Sequence, residues 1–66
     1  MRKELIDEVN DYIYFINNIE NKHISLLGYD ELDEKPEDYS NLYEGGNYVY
    51  DELLNKYYYI YFKKGE

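Results

Sequence analysis

Tyr57-Tyr58-Tyr59-Ile60-Tyr61-Phe62 is the stretch on which the fold turns. Aromatic and β-branched residues of this kind favour a strand. The spacing around them argues for a helix. Val49, Leu53, Tyr57, Ile60 and Tyr61 recur at steps of four, four, three and one, while Glu52, Asn55, Lys56 and Lys63 share the opposite side with Tyr59. Lys63 and Lys64 would also suit the negative pole of a helix C-terminus. Periodicity therefore predicts a helix over residues 47–63. The alternative is a small antiparallel sheet containing Tyr48–Tyr50 and Tyr57–Phe62, with the N-terminal helix packed on it.

Upstream, the first segment has the pattern of an amphipathic helix. Leu5, Val9, Tyr12, Ile13, Ile16 and Ile19 fall on one face of a 3.6-residue period, and Glu4, Asp7, Glu8 and Asp11 on another. Extended through His23, Leu26 and Leu27, the pattern would end at Gly28, a residue suited to the position just past a helix. Asn17, Asn18 and Asn21 weaken that continuation, and Ile24–Leu27 has the alternative of a short strand. The expected fold is all-α: a small bundle of two longer helices, at 3–27 and 47–63, in a single domain spanning 1–66. Between them Pro36 would open a short acidic helix carrying Glu37, Asp38, Tyr39, Leu42 and Tyr43, and Gly45-Gly46 would break it.

Charge is distributed unevenly along the chain. Fifteen acids face seven Lys and Arg, a formal net charge of −8. Between Gly28 and Glu52 stand nine acids and one cation, Lys35, which accounts for the whole excess. The two flanks together hold six acids and six Lys or Arg, so the anionic character belongs to the middle. Such a charge is typical of disordered chains, but those are poor in aromatics. Eleven tyrosines among 66 residues argue that this one folds. A domain of this size has a marginal core, and with no cysteine it has no disulfide to support it. No run of about 20 apolar residues is present, and the acids after Met1 replace the apolar run of a signal peptide, so a cytoplasmic protein is expected.

Candidate chemistry is sparse. His23 is the only histidine, cysteine is absent, and Ser25 and Ser40 lack the setting of an activated serine. No catalytic, cofactor-binding or metal-ligating residue is assigned, and the chain is not expected to be an enzyme. The acidic stretch departs from a calcium loop, because counting from Asp30 the third position is Leu32 and the sixth is Lys35. Direct nucleic-acid binding would need a basic footprint. The one cationic cluster, Lys56, Lys63 and Lys64, is outweighed by the total charge.

The acidic middle is the remaining candidate. As a wet surface it would only keep a tyrosine-rich protein in solution. Taken with its tyrosines, it has the composition of an interface. Tyrosine offers contact area at low entropic cost, and acids steer a protein onto a basic surface. The expected partner-binding residues are Asp30, Glu31, Asp33, Glu34, Glu37, Asp38, Tyr39, Tyr43 and Glu44. Carboxylates one helical turn apart, about 5.4 Å, would match the spacing of DNA phosphates, about 3.4 Å along a strand, only loosely. In size and charge the chain resembles the small acidic inhibitors of phages and mobile elements, among them nucleic-acid mimics. That resemblance implies an inhibitor occupying a basic, nucleic-acid-binding surface of a host protein. An adaptor or antitoxin-like module binding through tyrosine-rich helix faces is the alternative, and homodimerisation fits either.

Overall fold

A computed structural model describes residues 1–65 and shows one helix laid on a three-stranded sheet. The helix α1 spans Lys3–Glu20, followed by strands β1 (Ile24–Leu32), β2 (Tyr48–Asp51) and β3 (Lys56–Lys64). A 3₁₀ turn, Leu42–Glu44, precedes β2. All pairing is antiparallel, with β3 in the centre in the order β1-β3-β2. The fold is α+β, and the expected two-helix bundle is wrong.

Helix α1 begins where the spacing placed it and buries Leu5, Val9 and Ile13. It stops at Glu20, seven residues short of the expected end. Asn21 adopts the left-handed conformation (φ 53°, ψ 42°), which asparagine tolerates better than most residues. The amide of Asn17 then holds the turn into β1, donating to the Ile24 carbonyl at 2.8 Å and accepting from its N–H at 3.1 Å. Asparagines that look like helix weakeners thus close the helix and start the strand. Gly28, the expected helix terminus, lies within β1 just after a bulge at Leu27.

The second expected helix is a hairpin. Tyr48 pairs with Tyr59, Val49 with Tyr58, Tyr50 with Tyr57 and Asp51 with Lys56. Residues Glu52 and Asn55 of the supposed polar stripe belong to the turn between β2 and β3, and Lys56 and Lys63 lie near the two ends of β3. Asp51 shapes that turn, since its Oδ1 accepts from the N–H groups of Leu53 (3.0 Å) and Leu54 (3.3 Å). Asn55 closes it at φ 52°.

Even-numbered residues of β3 face α1 and odd-numbered ones face away, as strand alternation requires. The core is Leu5, Val9 and Ile13 against Leu42, Val49, Tyr58 and Ile60. Asp51 is also buried there, 1% exposed, with Arg2 Nε donating to its Oδ2 at 2.7 Å. This pair ties the start of α1 to the hairpin tip.

The expected acidic helix after Pro36 is an irregular crossing with a turn closed by Tyr39 N–H on the Pro36 carbonyl. Ser40 and Asn41 then run along the outer edge of β2, where the Ser40 carbonyl accepts from Tyr48 N–H at 3.0 Å. Gly46 is required at that approach, because a Cβ there would lie 2.1 Å from the Ser40 oxygen.

Candidate functional site: the open face of the sheet

Register alone determines what the uncovered face carries. Tyr57, Tyr59 and Tyr61 of β3 point away from α1, and their neighbours on β2 are Tyr50 and Tyr48. Tyr39 reaches the same face from the irregular crossing. The six rings form one connected array: Tyr61 contacts Tyr59 (4.9 Å between centroids), Tyr59 contacts Tyr48 (5.0 Å), and Tyr48 stacks on Tyr39 (5.8 Å). From Tyr39 it continues to Tyr57 (5.5 Å) and then Tyr50 (4.6 Å). Inclined and edge-on geometries of this kind are the favoured ones for aromatic pairs.

The rim is anionic. The Tyr61 hydroxyl donates to Asp30, and the Tyr48 hydroxyl donates to Asp38 at 3.0 Å. Both phenols are shifted above their ordinary value. At Tyr61 the hydrogen bond to Asp30 is the main cause, with burial second; at Tyr48 burial leads and Asp38 adds to it. Both hydroxyls therefore remain protonated donors at neutral pH. Lys35 sits over the Tyr39 ring at 5.3 Å.

The nine expected partner-binding residues do not form one surface. Asp30, Asp38 and Tyr39 meet on the open face. Glu31 and Asp33 converge on Lys56, at 3.2 and 2.6 Å. That cation lowers the Asp33 carboxyl below its ordinary range, the hydrogen bond being the larger cause. Glu34 and Glu37 are exposed in the crossing between β1 and the 3₁₀ turn. Tyr43 and Glu44 lie on the helix side, where the Tyr43 ring meets Tyr12 edge-on at 5.0 Å. No helix aligns the carboxylates, so the one-turn spacing argued from a helical face does not apply.

Sequence reasoning missed Tyr48, Tyr50 and Tyr59 as site residues, and placed Tyr57 and Tyr61 on a helix face. The available signal was tyrosine at every second position from 57 to 61, facing another such pair at 48 and 50.

The face offers rings, hydroxyl donors and carboxylates. Among the described residues no group of three or more His, Asp or Glu is placed to hold a metal ion. No helix there is long and apolar enough to cross a membrane. The chain matches no known protein family, and no curated protein or solved structure is similar to it.

Proposed function

We propose that this chain is a protein-binding module that docks the open face of its sheet on a basic, nucleic-acid-binding surface of a partner protein and so inhibits it. The observation that carries the reading is the array of six tyrosines with Asp30 and Asp38 hydrogen-bonded at its edges. Rigid aromatic rings supply contact area with few rotors to freeze, the chemistry of interface anchors. The carboxylates beside them, with Glu34 and Glu37 on the adjoining crossing, attract a cationic surface and accelerate encounter. Two of the chain's other cations are neutralised away from this face, Lys56 by Glu31 and Asp33 and Arg2 by Asp51, while Lys35 sits over the Tyr39 ring at its edge.

The test is capture of partners from lysate by the tagged parent and two variants, Tyr59→Ala/Tyr61→Ala and Glu34→Gln/Glu37→Gln. The proposal expects a nucleic-acid-binding protein retained at low salt, released at high salt, and displaced by added DNA. Retention should fall in both variants. A partner that binds both variants like the parent, or that resists high salt and DNA, overturns it.

A second reading has its own support. Tyr14 (73% exposed), Phe15 (55%) and Ile19 (63%) stand on the outer side of α1. An adaptor binding there would be insensitive to salt and to the tyrosine variants, and Phe15→Ser/Ile19→Ser would abolish it.

A further inference from the structure

A cavity of about 510 Å³ opens on the helix side of the sheet, at the end of α1, away from the tyrosine array. Its size falls within the roughly 300–1,000 Å³ of small-ligand sites. Ile13 and Ile16 from α1, Ile24 from β1, Leu42 from the 3₁₀ turn and Phe62 from β3 make an apolar wall. Lys22, His23 and Lys64 contribute to the rest of the lining, together with Glu20. Glu20 is engaged by Lys22 at 3.3 Å. Lys64 has no ion pair among the described residues.

This combination runs against the rest of the molecule. The chain carries −8, and its surface as a whole attracts cations. Here, among the described residues, an apolar wall is bordered by two lysines and a histidine, with one carboxylate already paired. We infer that this cavity is a binding site for a small anionic amphiphile of the alkyl-carboxylate class. The hydrocarbon chain lies against Ile13, Ile16 and Phe62, and the carboxylate meets Lys64 at the mouth. An apolar tail gains by leaving water in proportion to the area covered, and the single cation fixes its direction.

The charge of the whole protein supplies the control. Nonspecific adsorption to an acidic protein favours a cationic amphiphile, whereas the cavity favours an anionic one. Decanoate, decanol and decyltrimethylammonium are titrated into the full chain and followed by ¹H–¹⁵N NMR. The expected result is saturable movement of Ile16, Ile24, Phe62 and Lys64 with decanoate, and weaker or no movement of the same signals with the cation. Lys64→Glu, an exposed change whose own spectrum reports its fold, should weaken decanoate about fivefold or more and leave decanol unaffected. Ile16→Glu, which places a carboxylate on the apolar wall at a half-exposed position, should abolish both. The inference is overturned by scattered or non-saturating shifts, by equal response to decanoate and the cation, or by Lys64→Glu binding like the parent. Movement of the same signals with protein concentration alone would assign the cavity to a second copy and overturn it too.

Discussion

Tyr58 and Tyr59 are the same side chain at adjacent positions of one strand, and their surroundings have little in common. Tyr58 is 1% exposed beneath α1, between Val49 and the edge of Tyr29. Tyr59 stands on the other face, covered only by the rings of Tyr48 and Tyr61. The helix side takes core residues from α1, the 3₁₀ turn and the strands and gives the fold its stability. The open side is covered by its own tyrosines, from Tyr48 at 8% exposure to Tyr61 at 41%. A sheet with only one face covered has a second face free to bind. Aromatic residues keep that face ordered by mutual contact.

The sharpest test of this division is truncation on each side. Ile60→Ala should cost about 2–5 kcal/mol, the range for a buried aliphatic, out of the roughly 3–10 kcal/mol expected for a domain this small. Urea denaturation should find the midpoint of that variant lowered by roughly half. Tyr59→Ala should shift the midpoint much less, because its contacts are rings that can rearrange. Equal losses would mean that the open face is a second core and would weaken its assignment as an interface.

Next in size is the buried ion pair. Arg2→Ala leaves the Asp51 carboxylate buried without its partner and should lower the thermal midpoint by at least about 10 °C. Asp51 titrates below its ordinary value of 3.8, chiefly through the hydrogen bond from Arg2, with the Leu54 and Leu53 N–H groups adding to it against burial. A depressed carboxyl stabilises the fold above its unfolded value, and that contribution is lost as pH falls through the folded one. The parent should therefore lose stability below about pH 4. Asp51→Asn, weaker at neutral pH, should show a shallower acid dependence. A parallel acid profile in the two proteins would exclude Asp51 as its source.

The same comparison explains what could be read from the residues. Helix α1 was legible at its start and on its buried stripe, because Leu5, Val9 and Ile13 are apolar and Asp7 and Asp11 opposite them are not. The strands were illegible for the converse reason. With Tyr58, Ile60 and Phe62 on one side and Tyr57, Tyr59 and Tyr61 on the other, β3 has no polar face, and the two-residue alternation that marks a half-buried strand disappears. The two lysines near its ends and the polar hairpin turn then imitated a helical stripe. Propensity, which favoured a strand, was the better guide. Of the site, the acids were visible as a charge run. Their division between the open face, Lys56 and the helix side depends on pairing across strands far apart in sequence.

The smallest expected effect isolates the hydroxyls of the open face from its rings. Tyr48 titrates above the ordinary phenol value of 10.0 chiefly because burial disfavours its charged form, with Asp38 accepting from it as well. Tyr61 does so chiefly because Asp30 accepts from it, with burial second. A raised phenol contributes stability that is fully present below the unfolded value and is lost as pH rises through the folded one, so the window is alkaline. Tyr61→Phe keeps the ring against Tyr59 and removes only the donor to Asp30. Its thermal midpoint at neutral pH should stay close to the parent's, while the tyrosinate absorbance should lose part of its late-titrating component. If the rings alone hold the face together, partner capture should persist in Tyr61→Phe and fail in Tyr59→Ala/Tyr61→Ala. Capture lost equally in both would show that the Asp30–Tyr61 hydrogen bond, by fixing the carboxylate at the rim, is part of what the partner recognises.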